Sequence, residues 1–319
     1  MKAILVGLGS AGYGWYKRIR QAGLELAVVE TDPNNRSKAD DGVPLYVDLE
    51  EAIGKEQPDF VVNVTPPQVH TRINTIAFDH KLPVLCEKPI AFDYAESVDI
   101  VGRSERERIP FMIAENYRRF AYMRKLKQVL ESGVIGAVST MDVSFYRYHN
   151  VQRNYSVSLL DDIAVHHFDL MRYLSGREGR KIYARLFNPI GHWGTDSECL
   201  AMNAQLELDG GIMAAFTGSI SARGPETEWG GHWRIEGSEG AVLVANQEIR
   251  VVRDGEVTVI NDYRDVDSPG ALADFLRGLR DGTEFETSGR DYLKTQAIVH
   301  YANESHRENR PVNIVLGRE

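Results

Sequence analysis

The sequence predicts an α/β N-terminal domain with a doubly wound parallel sheet, followed by an α+β domain built on a large, open, mostly antiparallel sheet. Three observations carry this reading. Up to about residue 115, short runs that are apolar throughout alternate with stretches of helical character, the pattern of strands buried on both faces. Beyond about residue 180, apolar runs follow one another through turns without helices between them. The length of 319 residues suits two domains, each with its own core.

Lys2–Val6 is a short apolar run ahead of a glycine turn, and the stretch from Ala11 to Ala22 can be helical before Gly23 ends it. Leu24–Glu30 reads as a second buried strand. Helices at Asp48–Gly54, Gln68–His80 and Asp93–Arg106 then alternate with strands at Asp59–Val64, Pro83–Cys86 and Pro110–Ala114. Right-handed crossovers make such a series doubly wound. In the second half, Tyr122–Ser132 and Leu160–Ser175 have helical character. The strand signal runs from Lys181 to about Ile260. Within it, Cys199–Leu208 and Ile212–Gly218 flank Asp209-Gly210-Gly211, a hairpin signal. Further strands are expected at His232–Glu236, Ala241–Ala245, Glu248–Arg253 and Val257–Ile260, then helices at Gly270–Asp281 and Arg290–Glu308, and a last strand at Pro311–Val315. The domain boundary is placed at 117/118, giving a first domain over 1–117 and a second over 118–319.

Composition narrows the class. Thirty-seven basic against 46 acidic residues leave a formal charge of −9, which argues against a nucleic-acid partner, since that draws on clustered Lys and Arg. No apolar run approaches the ~18 residues of a membrane span. The start, Met1-Lys2 followed by AILVGLGSAG, has the outline of a signal peptide, but Gly7, Gly9 and Gly12 interrupt its apolar stretch. Two cysteines, Cys86 and Cys199, without a CxxC pair, offer neither a disulfide framework nor a cysteine-rich zinc site and fit a reducing cytoplasm.

Gly7-Leu8-Gly9-Ser10-Ala11-Gly12 matches G-x-G-x-x-G between a strand and a helix. Gly7 permits the tight turn, Gly9 lets backbone approach a pyrophosphate, and Gly12 allows helix and strand to pack closely. The N–H groups of Ser10, Ala11 and Gly12 at the helix start would face phosphate charge. Glu30 at the end of the second strand can accept hydrogen bonds from ribose hydroxyls and repel a 2′-phosphate, which favours NAD over NADP; Thr31 and Asp32, not an Arg, come next. A structural turn with a solvent-facing Glu30 is the plain alternative.

Ligands of open parallel sheets sit beyond the carboxyl ends of the strands. Lys88 emerges there, in Glu87-Lys88-Pro89 after the strand Pro83–Cys86. Thr65-Pro66-Pro67 likewise follows Asp59–Val64 as a rigid rim, with His70 just inside the next helix. From position alone Lys88 could equally be a solvated surface lysine. In the second domain Asp162, His166 and Asp169 stand at i, i+4 and i+7, one face of a helix. An imidazole can take and return a proton near neutral pH, whereas a core histidine and a helix cap explain the same residues without chemistry.

The glycine turn, the Thr-Pro-Pro-x-x-His stretch at 65–70 and Glu87-Lys88-Pro89 together resemble the Gfo/Idh/MocA oxidoreductases, the glucose–fructose oxidoreductase and inositol dehydrogenase relatives, over nearly the whole chain. Asn116-Tyr117-Arg118 and the late stretch with Tyr301, Ser305 and Asn309-Arg310-Pro311-Val312 resemble family segments as well. The resemblance implies a Rossmann dinucleotide-binding domain and a substrate-binding, oligomerising second domain. Asp162-x-x-x-His166 is similar to the family's Asp-x-x-x-His element, so by that similarity Lys88, Asp162 and His166 are assigned to catalysis. Gly7, Gly9, Ser10, Ala11, Gly12, Glu30, Thr65, Pro66, Pro67, His70, Glu87, Lys88 and Asn116 are assigned to the cofactor. The implied reaction is NAD-dependent hydride transfer at a secondary hydroxyl of a sugar, sugar derivative or cyclic polyol, in a cytoplasmic homodimer or homotetramer without nucleic-acid or membrane partners. Tyr146-Arg147-Tyr148-His149, Arg153-Asn154-Tyr155 and the group Trp229, His232 and Trp233 are candidate sugar contacts; for the last group, strand packing is the stronger reading. Three departures stand out: Tyr155 to Leu160 in place of a glycine-rich loop, Ala164 between the Asp and the His, and Trp15 where a His is often found. Two other functions share this fold: NAD-dependent glycoside cleavage and a non-enzymatic dinucleotide-binding regulator. A zinc dehydrogenase fits least, because His166 and His167 are adjacent and thiol ligands are missing.

Overall fold

The computed structural model describes residues 1–150, 158–195 and 199–316. In chain order the elements are β1 (Lys2–Val6), α1 (Ser10–Gln21), β2 (Glu25–Val29), α2 (Pro33–Arg36), β3 (Leu45–Tyr46), α3 (Leu49–Glu56), β4 (Phe60–Asn63), α4 (His70–Asp79), β5 (Val84–Cys86), α5 (Tyr94–Glu107) and β6 (Phe111–Ile113). There follow α6 (Ala121–Glu131), β7 (Val138–Tyr146), α7 (Val165–Ser175), β8 (Gly179–Phe187), β9 (Ala201–Leu208), β10 (Met213–Ser219), β11 (His232–Gly237), β12 (Gly240–Ala245), β13 (Glu248–Arg253), β14 (Glu256–Ile260), α8 (Ala271–Asp281), α9 (Gly289–Glu308) and β15 (Val312–Asn313). The chain divides into two units, Met1–Glu115 with Pro269–Leu293, and Asn116–Ser268 with Lys294–Glu319.

The first unit holds a six-stranded parallel sheet in the order β3-β2-β1-β4-β5-β6. The order reverses beside β1, so the crevice beyond the ends of β1 and β4 is its switch point. Strands β1 and β4 are buried along nearly their whole length, which is why their sequences are apolar at successive positions. Asp48 and Asp93 start α3 and α5 by accepting backbone N–H bonds, from Glu51 in one case and from Ala95 and Glu96 in the other, the standard use of a short acidic side chain at a helix start.

The expected boundary at 117/118 places Pro269–Leu293 in the second domain, but this segment packs into the first unit. Leu272, Phe275 and Phe285 join Phe60, Val62 and Leu85 in its core. Phe275 has no exposed surface and lies edge-on to Phe60 at 5.4 Å between ring centroids. Burying one such side chain is worth about 1.5–3 kcal/mol, so the core itself draws the late segment back. Thr287 completes the attachment: its carbonyl accepts the Ile113 N–H at 2.9 Å and its hydroxyl donates to the Ile113 carbonyl at 2.6 Å.

The second unit holds a nine-stranded sheet in the order β14-β13-β12-β11-β7-β10-β9-β8-β15. Among the described residues of this sheet only the β7–β10 pairing is parallel. The hairpin expected at Asp209-Gly210-Gly211 joins β9 to β10. β7 is central, and the sequence reading names no strand there. Its buried residues Met141, Val143 and Phe145 alternate with Asp142, Ser144 and Tyr146, a period-2 pattern that does carry the signal. The expected helix over Leu160–Ser175 begins as a wider π turn at Leu160–Ala164 before α7.

Candidate functional site: a glycine cradle and a buried histidine

In the first unit, β1 ends at Val6 and the chain turns at Gly7, whose φ of +95° is left-handed. A Cβ there would lie 2.7 Å from the Val64 carbonyl oxygen, and one on Gly12 would lie 2.2 Å from that of Gly7. These two glycines let β1, the start of α1 and the end of β4 close together. Gly9 differs: a Cβ there would meet nothing within 4 Å, so the backbone borders open space. No side chain caps α1, and the first-turn N–H groups, including those of Ser10, Ala11 and Gly12, have no intrahelical acceptor. Such a terminus carries partial positive charge and fits a pyrophosphate.

Glu30 is 8% exposed. One carboxylate oxygen accepts the Leu8 N–H at 2.6 Å and the other the Asp32 N–H at 2.9 Å. A carboxylate has about four acceptor positions, so two remain for vicinal ribose hydroxyls. The carboxylate is therefore fixed by the glycine turn itself, and the residues present fit a dinucleotide without a 2′-phosphate.

The two rims are tied together from beneath. Thr65 and Lys88 are half-buried, Pro66 is exposed and Pro67 buried. His70 has no exposed surface. Its ring spans the carbonyls of Pro89, at 2.7 Å from Nδ1, and Thr65, at 2.8 Å from Nε2. The expectation that His70 touches a cofactor therefore gives way to a supporting place: it joins the Thr65–Pro67 rim to the segment after Lys88. Burial pushes its pKa down against these carbonyls and the nearby Glu87. Beneath it Asn63 donates to the Asn74 side chain at 2.8 Å and to the His70 carbonyl at 3.2 Å. Burial also pushes the Cys86 thiol up, which keeps it an inert core group.

Glu87 lies half-buried beside Lys88. The indole N–H of Trp15, on α1, donates to its carboxylate at 2.8 Å, and the Lys88 backbone N–H lies 3.3 Å from the other oxygen. Sequence reasoning notes Trp15 only as a departure; here it anchors Glu87.

In the second unit, Asn116 is exposed. Asp162 and His166 are 7% and 5% exposed. Asp162 sits in the π turn and His166 in the first turn of α7. Single π turns recur at functional sites, and this one alters the one-face spacing that an uninterrupted α-helix would give. Asp169 is fully buried; it binds the Arg118 guanidinium through both oxygens, at 2.5 and 2.7 Å. Its place is thus structural, as is that of Trp233, which is 2% exposed and donates to the Gly230 carbonyl. Trp229 is 37% exposed and carries the Arg147 guanidinium 4.6 Å from its ring centre. The candidates Arg153, Asn154 and Tyr155 lie outside the described residues. Among the described residues no group of three His, Cys, Asp or Glu side chains could hold a metal ion.

A parallel sheet with a glycine cradle and a buried carboxylate at its switch point is the arrangement of the dinucleotide-binding α/β folds. Residues 1–114 match the oxidoreductase family with an NAD-binding Rossmann fold, and residues 123–243 match a GFO/IDH/MocA C-terminal domain. The chain belongs to the Gfo/Idh/MocA oxidoreductase family. It is 28% identical to the inositol 2-dehydrogenase of Corynebacterium glutamicum over 66% of this chain and 64% of that one, less than two thirds of that relative's length. It is 27% identical to the D-apiose dehydrogenase of Rhizobium rhizogenes over 98% of this chain and 97% of that one. An oxidoreductase from Agrobacterium radiobacter, solved with NAD+, L-tartaric acid and magnesium, shares the fold with a TM-score of 0.89 at 24% identity, covering 98% of each chain.

Proposed function

We propose that this protein is an NAD-dependent dehydrogenase that moves a hydride between a secondary hydroxyl carbon of a sugar, sugar derivative or cyclic polyol and the cofactor. The observation that supports it most directly is the cradle: Glu30, held by the Leu8 and Asp32 N–H groups, beside a glycine loop bordering open space at Gly9. Inositol and apiose dehydrogenases among its relatives support the substrate class.

NAD, when bound, would supply the hydride acceptor. The N–H groups at the start of α1 would hold its pyrophosphate, and Glu30 would accept its ribose hydroxyls. His166 takes the substrate hydroxyl proton. By the family resemblance, Lys88 is the proposed hydrogen-bond donor to the substrate oxygen as it gains carbonyl character, and Asp162 the group that stabilises the imidazolium formed at His166. The first unit binds the dinucleotide, and the second binds substrate and carries the oligomer contact. That contact uses the open face of the nine-stranded sheet, where Asn203, Thr217 and Arg234 line a groove of about 710 Å³. No helix among the described residues is long and apolar enough to cross a membrane, and the free thiols of Cys86 and Cys199 suit the cytoplasm as the place of action.

The test is a screen of NAD and NADP against sugars, inositols and sugar acids, with wild type and Lys88→Ala side by side. Wild type should reduce NAD with at least one polyol. Lys88→Ala should lose about 10²–10⁴-fold in kcat while its NADH affinity stays within a few-fold. Normal turnover in the variant removes Lys88 from the chemistry, and glycoside cleavage without net NADH release moves the protein to the alternative reaction.

A further inference from the structure

The His166 imidazole does not sit alone in its unit. The ring of Tyr117 lies parallel to it, with 4.1 Å between centroids and 12° between planes. Aromatic pairs more commonly sit at ~4.5–7 Å, so this is a tight face-to-face stack. Tyr117 is 4% exposed. Phe120 leans against it at 5.0 Å, and His167 meets it edge-on at 5.7 Å and 83°.

The neighbouring residue explains what holds the stack in place. Tyr117 and Arg118 occupy one short 3-10 turn. Arg118 grips Asp169 with two parallel hydrogen bonds of 2.5 and 2.7 Å, both side chains being almost fully buried. Asp169 follows His166 by one turn on α7 and also accepts the Thr295 hydroxyl at 2.7 Å. Adjacent residues on one segment thus seize residues one turn apart on a helix, and bidentate geometry fixes orientation as well as distance.

We propose that Tyr117 is the positioning residue of the active-site histidine: its ring sets the plane of the His166 imidazole and presents a π face to that ring as it becomes cationic. This rests on the assignment of His166 as the proton acceptor. The physical need is specific. The outer torsion of a histidine is broad and roughly two-fold, whereas a proton acceptor must aim one ring nitrogen within hydrogen-bond reach of its donor. A parallel ring at 4.1 Å removes that rotation. The face of a tyrosine ring is also negative, so the stack places a π face against the ring that takes the proton.

The experiment compares Tyr117→Phe, Tyr117→Leu and Tyr117→Met in steady-state kinetics on the best polyol from the screen. Tyr117→Phe keeps the ring and should retain kcat within about threefold. The Leu and Met variants should lose about ten- to a hundredfold in kcat, the cost of misaiming a reacting group, with KM and NADH affinity within about twofold. On histidine-labelled wild-type protein, the Cε1–H resonance of His166, assigned by its loss in His166→Gln, should lie upfield through the tyrosine ring current. It should remain so in Tyr117→Phe and return downfield in Tyr117→Leu. Unaltered kcat in the Leu and Met variants, or an unshifted wild-type resonance, overturns the proposal; if neither variant folds, the wild-type spectrum decides. Wild-type turnover in His166→Gln refutes instead the role of His166 on which the proposal stands. An inactive His166→Gln beside fully active Tyr117→Leu refutes the role of Tyr117 alone.

Discussion

Glu30 shows how one side chain can serve fold and ligand together. Its two oxygens face two different backbone donors, Leu8 N–H and Asp32 N–H, so an amide cannot replace it without turning an NH₂ towards an N–H. Leaving one buried donor unsatisfied costs about 1–3 kcal/mol. Glu30→Gln should therefore lower stability by about that amount in urea unfolding, weaken NADH binding roughly tenfold by fluorescence titration, and narrow the preference over NADPH by removing a repelling charge. An unchanged ratio of the two affinities would take Glu30 out of ribose recognition. The positions of Gly7, Gly9, Gly12, Glu30 and Lys88 are legible in the sequence because they are local features: a glycine turn after a strand, an acid at the next strand's end, a lysine after a third. Trp15 and Tyr117 are not. Trp15 meets Glu87 from 72 residues away, and Tyr117 meets a helix that comes much later in the chain, so no spacing rule connects them. The position of His70 in the sequence suits a ligand contact; its complete burial, between the Pro89 and Thr65 carbonyls, places it underneath the rim instead.

Elements obey the same division. Strands buried on both faces announced the parallel sheet, and the Asp-Gly turn announced the β9–β10 hairpin. The π turn at Leu160–Ala164 did not announce itself, because its sequence differs little from that of an ordinary helix start and its extra width depends on packing. β7 is the instructive omission: its alternation was present, but its neighbours β10 and β11 lie far along the chain. The C-terminal end of α7 offers a prediction on this scale. Glu178, between α7 and β8, accepts from Arg172 Nε at 2.6 Å and from Lys294 Nζ, on α9, at 3.0 Å. Burial works against its charge, but Arg172 and Lys294 outweigh this and hold the carboxyl below its ordinary value of 4.5. A depressed folded pKa contributes stability that is complete above the unfolded value and is lost as pH falls through the folded one. Glu178→Gln should thus cost about 1–2 kcal/mol at pH 7, with the gap to wild type closing below about pH 4. A gap that stays constant down to pH 3 in denaturant titrations would mean that the ion pairs do not clamp α7 to α9.

On the scale of the whole molecule, length and pattern revealed two kinds of sheet but not the route of the chain between them. Composition cannot tell that Leu272, Phe275 and Phe285 belong to a core begun almost 270 residues earlier, since α8 reads as one more amphipathic helix. A fragment ending at residue 117 should consequently fail to fold stably: it lacks three buried anchors, and deleting one large core side chain alone costs about 3–5 kcal/mol. Circular dichroism showing a cooperative melt near that of the full chain would contradict this. The discontinuity in the first unit also bears on how the protein is made. The glycine cradle leaves the ribosome well before α8, and the wall behind Phe60 stays open until Phe285 has been translated, which at roughly 5–20 residues per second is on the order of ten seconds or more. Throughout that interval the apolar faces of Phe60, Val62 and Leu85 lack the late side chains that cover them in the finished protein.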